Sequence, residues 1–173
     1  MKTEIVRAFE EVYGAESDAI YRFCLVRVSG KDQALDIMQE TFLRLWQNML
    51  AEKNIANKKA FLFTIAHNLV IDWYRKKKSL SLENLGLTGK EERYALPEGL
   101  VVSNLEAGVE ARYLLEKINE LSPTYRTAVY LHFVEDLGPQ EIGKILGISM
   151  NAASVRVNRG VKELRQKAGY EES

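Results

Sequence analysis

The chain has 173 residues, 46% of them apolar and 28% charged, with 24 Lys/Arg balanced by 24 Asp/Glu. That length suits one compact domain or two small ones, and the composition excludes an intrinsically disordered chain. No apolar run approaches the ~20 residues that cross a bilayer, and the N-terminus lacks the apolar core of a signal peptide, so a cytoplasmic protein is expected. The single cysteine, Cys24, lies in the apolar stretch Phe23-Cys24-Leu25-Val26 and reads as a small core residue. His67 and His132 lie far apart, without the Cys or carboxylate spacing of a zinc site, so no metal and no cofactor is expected. Zero net charge conceals a division: residues 1–78 carry net +3, 79–108 net −3 and 109–173 net zero. Any nucleic-acid contact has to come from local patches.

Strand alternation and hairpin turns are absent, whereas helical periodicity is widespread, which makes the fold class all-α. A first amphipathic stretch carries Ile5, Phe9, Val12 and Tyr13, and a second, after Gly14, runs from about Asp18 to Val28. Ser29-Gly30 stops it. Asp32 is positioned to cap a third helix that buries Ala34, Ile37, Met38, Thr41, Phe42, Leu45 and Met49. After the polar loop 52–57, a fourth helix is expected from about Lys58 to Lys77, with Phe61, Leu62, Ile65, Ala66, Leu69 and Trp73 inward. Residues 1–78 thus form one helical domain. Residues 79–104, with three Gly and the Pro97-Glu98-Gly99 turn, read as a flexible linker whose Glu83, Glu91 and Glu92 are expected to discourage DNA binding by the free protein. Helical pattern resumes from about Leu105 to Glu120. Ser122-Pro123 starts a helix to Val134, Pro139 opens a short one to Leu146, and Ser149 caps a last one to about Lys167. Residues 105–173 form the second helical domain.

The segment 139–158 has the makings of a helix-turn-helix. Gly143 supplies a small residue where two helices cross, Gly147 a turn, and Ile142, Leu146, Ile148, Ala153 and Val157 an apolar lock. The last helix would then bury Ala153, Val157, Val161 and Leu164 and present Asn151, Ser154, Val155, Asn158, Arg159 and Lys162. Asn pairs with base edges, and Arg or Lys reaches bases or phosphates. A plain helical hairpin with a solvated polar face fits the same pattern. The fourth helix ends Asp72-Trp73-Tyr74-Arg75-Lys76-Lys77-Lys78 and has Thr64, His67, Asn68, Arg75 and Lys78 facing out. Cations beside aromatic rings suit single-stranded or melted DNA. Basic residues also favour helix C-termini through the macrodipole, so on pattern alone both readings stand.

Three stretches in this order resemble the sigma-70 family, specifically its small extracytoplasmic-function sigma factors. Asp36-Ile37-Met38-Gln39-Glu40-Thr41-Phe42-Leu43-Arg44-Leu45-Trp46 is similar to the family's region 2.2. Residues 61–75, FLFTIAHNLVIDWYR, are similar to regions 2.3 and 2.4, and residues 113–167, with Leu121-Ser122-Pro123-Thr124-Tyr125-Arg126 and the helix-turn-helix, to region 4. The resemblance implies a two-domain sigma factor that carries no catalytic site, binds core RNA polymerase and promoter DNA, and takes no small-molecule substrate.

By position, the family's roles fall on named residues. Asp36, Gln39, Glu40, Leu43 and Gln47 are expected to dock on the β′ clamp helices, with a further contact from the second domain to the β flap. Asn54, Asn57, Lys58 and Lys59 are expected to hold a base flipped from the −10 element, and Thr64, His67, Asn68, Arg75 and Lys76 to hold the adjoining strand. His132, Ser154, Val155, Asn158 and Arg159 correspond to the −35 reading positions, flanked by Asn151 and Lys162. Phe61 replaces a usual Trp, His67 a common Arg, Ser154 a frequent Lys or Arg, and Ala153 a larger apolar residue. Fewer charges on the last helix imply weaker phosphate anchoring or a different −35 sequence. The family further implies an anti-sigma factor, often membrane-held. A stand-alone helix-turn-helix regulator would explain residues 105–173 and leave Asp36–Trp46 and the basic helix without a role. An enzyme would need a phosphate loop, metal cluster or nucleophile–base pair, and the sequence offers none.

Overall fold

A computed structural model describes residues 1–84 and 100–169, the side chains of 82–84 and 104 excepted. Among them are seven α-helices and no strand: α1 (Lys2–Leu25), α2 (Lys31–Leu50), α3 (Lys58–Asn84), α4 (Val109–Asn119), α5 (Pro123–Phe133), α6 (Pro139–Leu146) and α7 (Met150–Lys167). A 3₁₀ turn at Val102–Asn104 precedes α4.

The first two amphipathic stretches are one helix. Glycine inside a helix costs about 1 kcal/mol but keeps its hydrogen bonds, and the residues flanking Gly14 continue the turn. The N-terminal part of α1 lays Phe9 and Tyr13 on α2, with ring centroids 5.2 Å apart for Phe9–Trp46 and 4.8 Å for Tyr13–Phe42. Its C-terminal part buries Ile20, Phe23, Cys24 and Leu25. In α2, every expected core residue from Ala34 to Leu45 is buried and Met49 is half-buried. Buried Thr41 satisfies its hydroxyl on the Ile37 carbonyl at 2.7 Å.

The fourth predicted helix, α3, differs most from expectation. It continues seven residues past Lys77 to Asn84. It buries Ala60, Leu62, Phe63, Ala66 and Val70, while Phe61, Ile65, Leu69 and Trp73 are only half-buried. A helix with one core face could not do both. α3 is covered on two sides, by α1 and α2 and by α6 of the C-terminal half. Residues 85–99, including Glu91 and Glu92, lie outside the described residues, as does the side chain of Glu83. The chain returns at Leu100, which is buried, and Val101 donates to the Val26 carbonyl at 2.7 Å.

In the C-terminal half, α4 begins at Val109 rather than Leu105, because Gly108 is extended and takes the N-cap position. Ser122 is the N-cap of α5, but its backbone N–H and hydroxyl both donate to the Glu163 carboxylate of α7, at 3.0 and 3.1 Å. That interhelix bond takes the place of a local cap. α7 closes on α5 at Gly160, where any Cβ would collide with Val129 Cγ2 and lie 3.1 Å from Tyr125 Cβ.

Candidate nucleic-acid and partner interfaces

α6 and α7 form the helix-turn-helix, and each glycine has a measurable reason. A Cβ on Gly143 would sit 2.8 Å from the Ile148 carbonyl oxygen and 3.3 Å from the Ser149 backbone. Gly147 adopts φ 68°, ψ 34°, the left-handed conformation that ends α6. Gly138 starts α6, with its N–H donating to the Glu141 carboxylate at 2.8 Å. Ser149 caps α7 by accepting from the Ala152 N–H at 3.0 Å. Ala153, Val157 and Gly160 are buried, with Val161 and Leu164 half-buried behind them. Asn151, Val155, Asn158, Arg159 and Lys162 are exposed and Ser154 is half-buried. Sequence reasoning therefore named the exposed positions between Asn151 and Lys162; Met150 stands beside them 57% exposed. His132, on α5, is half-buried and its Nδ1 lies 2.8 Å from the Leu137 carbonyl oxygen. A carbonyl only accepts, so Nδ1 carries a proton and donates it to Leu137, which fixes the orientation of the ring.

The −10 candidates around α3 divide into three groups. Asn54 and Lys58 line an open groove of about 360 Å³ closed on its far side by Glu4, Ile5 and Ala8 of α1. The α1 residues were missed, because nothing in a helix 50 residues upstream signals a shared groove. Asn57 caps α3, its Oδ1 accepting from the Ala60 N–H at 2.9 Å, and its Nδ2 donates to Glu141 of α6 at 3.3 Å. Lys59 Nζ donates to the Glu135 carbonyl at 2.9 Å. These two side chains thus face the C-terminal half and not the groove. Further along, Thr64 bonds the Ala60 carbonyl at 2.7 Å. His67 is half-buried, and burial together with the charge of Arg27 holds its pKa down at about 4, so it is neutral near pH 7. Asn68, Arg75 and Lys76 are exposed.

On α2, Asp36, Gln39, Leu43 and Gln47 are exposed, and Glu40 is held to Arg44 by a 2.9 Å ion pair. Leu35 and Leu50, 41% and 45% exposed, share the stripe of Leu43, which is 47% exposed. Only Leu43 was singled out from sequence; the others fell outside the quoted motif. Three exposed leucines thus stand among carboxylates and amides on a helix whose opposite face is core.

Sigma-70 region 2 matches residues 12–80, and Sigma-70 region 4 matches residues 111–164. The extracytoplasmic-function RNA polymerase sigma factor SigW of Bacillus subtilis is 34% identical over 169 residues, covering 92% of this chain and 88% of its own. The chain belongs to the sigma-70 family. It is an alternative sigma factor of the extracytoplasmic-function group, and it directs promoter-specific transcription. SigX of the same organism is 24% identical, with coverages of 91% and 82%. Among solved structures, the sigma factor RpoE of Bartonella quintana, in complex with the anti-sigma factor NepR, superposes with a TM-score of 0.71 at 20% identity over 96% of this chain and 99% of that one. CnrH, in complex with the cytosolic domain of CnrY, gives 0.61 at 18% identity, with coverages of 96% and 90%. Both share the fold across the two halves.

In this sigma factor the matched regions meet along a buried seam. Glu135, with a side chain 1% exposed, accepts from Arg22 of α1 at 3.0 and 2.8 Å and from the Tyr130 hydroxyl at 2.9 Å. The Tyr130 ring lies tilted against Phe23, centroids 6.0 Å apart, and Phe23 meets Phe63 edge-on at 5.4 Å. The Arg27 guanidinium lies over both the Phe23 and Tyr130 rings, at 3.8 and 4.3 Å. Cys24 sits behind this cluster, its thiol pKa pushed up to about 12 by burial, in keeping with a packed and unreactive side chain. Among the described residues no helix is long and apolar enough to cross a membrane.

Proposed function

We propose that residues 1–78 bind core polymerase and the −10 element, and that residues 105–173 read the −35 element across the 79–104 connection. The exposed α2 strip carries this reading: leucines at its centre supply apolar burial, and Asp36 and Glu40 choose a basic helical partner, the β′ clamp helices. The groove between α1 and the 51–57 loop receives a base flipped from the −10 strand, with Asn54 reading its edge and Lys58 its phosphate. Arg75 and Lys76 follow the strand beyond. In the major groove, Asn151, Asn158 and Arg159 meet base edges, Val155 contacts a thymine methyl, Lys162 reaches the backbone, and Ser154 and His132 complete the −35 surface. Two weak readers joined to one polymerase gain effective concentration at promoters of the right spacing.

The second half contacts the β flap, and an anti-sigma factor is the regulatory partner, since RpoE was solved with a protein of that kind. Such a partner would hold a cytoplasmic sigma factor at the membrane if it is itself anchored there.

Capture of bacterial core polymerase by the full chain tests the reading. Wild type is expected to retain the core, and a Gln39→Ala/Leu43→Ala variant to lose at least tenfold in affinity with unchanged helical content. Equal capture by both variants would remove α2 as the docking element. Absence of capture by folded, inhibitor-free wild type would overturn the function.

A further inference from the structure

The last helix turns more apolar surface outward than its fold requires. α7 is fixed from behind by buried Ala153, Val157 and Gly160 and is capped by Ser149. Yet Met150, its first residue, is 57% exposed and Val155 is 43% exposed. Neither belongs to the hydrophobic core or packs against it. Neither is favoured there by the helix itself, since water around an apolar side chain is unfavourable and a β-branched valine also loses rotamer freedom. Asn151 and Asn158 are exposed on the same helix. Val155 stands four residues after the first and three before the second, so its methyl groups share one helix face with both amides. Met150 lies on the margin of that face, about 140° around the axis from Val155 and roughly 7.5 Å along it.

An A·T pair presents the matching combination in the major groove. Adenine offers N7 and its N6 amino group to a side-chain amide, and thymine offers the C5-methyl, the apolar group on the base edges there. The N-terminal residues of a recognition helix contact those edges, and Met150 occupies that end of α7 with an unbranched thioether that adapts to an uneven surface. We propose that Met150 is a specificity-determining residue, which with Val155 reads two thymine methyls of the −35 element, so that this surface selects A·T pairs by apolar contact as well as by hydrogen bonds. This role rests on the assignment of α7 to −35 reading. The separation of the two side chains along the axis corresponds to about two base steps. With the helix lying along the groove its margins face opposite strands, so the two thymines lie on opposite strands. Apolar contact also supplies affinity that the uncharged Ser154 does not, and it differs from a phosphate contact in being insensitive to salt.

The test uses the holoenzyme, the full chain bound to core polymerase. A duplex library randomised over the upstream window is selected for retention, which yields a −35 sequence. Each thymine of the selected duplex is then replaced, one at a time, by deoxyuridine. The exchange removes the methyl and leaves base pairing and the hydrogen-bonding groups of the groove in place. Wild type is expected to lose about fourfold in affinity at each of two positions, the worth of one buried methyl. The loss is expected to be equal at low and high salt, because no counterion is released at a methyl. In Met150→Ala one of the two losses is expected to disappear, and in Val155→Ala the other. Helical content is expected to match wild type in both variants, since neither side chain is part of the core. Uracil tolerated at every position, by a holoenzyme that still selects a −35 sequence, would overturn the methyl reading alone. Losses that persist unchanged in Met150→Ala would assign the contact to another residue and overturn the role of Met150. A library that emerges without any preferred upstream sequence would overturn −35 reading by α7, and the role of Met150 with it.

Discussion

The two halves of the molecule hold the side chains that the sequence pointed to for nucleic-acid contact in different states. In the C-terminal half, framework and candidate reading surface are separate: glycines, the Ser149 cap and buried Ala153 and Val157 fix the helix-turn-helix, and Asn151, Val155, Asn158, Arg159 and Lys162 stand exposed outside that framework. In the N-terminal half, side chains expected from the sequence on the −10 surface are engaged within the protein. Asn57 caps α3 and contacts α6, Lys59 bonds Glu135, Thr64 bonds its own helix, and His67 is neutral against Arg27. An outward-facing residue on a helix with one core face is free. On a helix packed between two layers, "outward" means toward another part of the protein.

The strongest way to break this comparison is to unpack α3 on its second side. Phe63 is fully buried and meets Phe23, which in turn meets Tyr130 of α5. Phe63→Ala is expected to cost about 3–5 kcal/mol. Chemical denaturation of the whole chain measures it, and the loss is expected to appear in both halves. An unfolding transition that shifts only the N-terminal half would mean that the seam contributes little.

Acid probes the same side without a cavity. His67 titrates near 6.5 when unfolded and near 4 when folded. Between those values the unfolded chain binds a proton that the folded chain refuses, so stability falls as pH drops from about 6.5 to 4 and is level above. The loss is on the order of 2–3 kcal/mol. Glu16 has the opposite sign: burial, more than offsetting nearby Lys59, raises its pKa, with Glu135 adding to the rise, so folding takes up its proton first as pH falls. Comparing denaturation of wild type and His67→Gln across pH 4–7 separates them. The variant is expected to lose the decline and keep the Glu16 contribution. An unchanged profile would place His67 in water.

In the other half, Gly143→Val drives a side chain against the Ile148 carbonyl. The expected cost is about 1–3 kcal/mol, a fall in melting temperature of several degrees. Binding of −35 duplex is expected to fail, while core capture through α2 persists. Loss of both activities together would show that the halves do not function apart.

The same contrast explains what could be read in the sequence. The α2 core, both glycines of the helix-turn-helix and the exposed positions between Asn151 and Lys162 of α7 follow from short-range pattern, since each depends on residues within a few turns. The α1 helix was divided because Gly14 is a helix-weakening residue whose cost the flanking contacts of Phe9, Tyr13 and Ile20 outweigh. The buried side of Phe63 and Val70, the Glu135 network and the groove wall from Glu4, Ile5 and Ala8 depend on partners 40 to more than 100 residues away, and no local periodicity encodes those. Glu135 itself lies in the short connection between α5 and α6, beside Asp136, which takes a positive φ of 56°.

The smallest expected effect is the sharpest comparison, because it uses one kind of bond in each half. Ser149 and Asn57 both cap a helix, accepting from a backbone N–H at 3.0 and 2.9 Å. Loss of a cap alone costs about 1 kcal/mol. Ser149→Ala is expected to cost that much and leave the seam intact. Asn57→Ala removes an equivalent cap together with the bond to Glu141. If α6 truly rests on the start of α3, its cost exceeds that of Ser149→Ala by several tenths of a kcal/mol, and the excess vanishes in a Glu141→Ala background. Equal costs in both backgrounds would mean that Asn57 is only a cap, and that the two halves are built on the same plan after all.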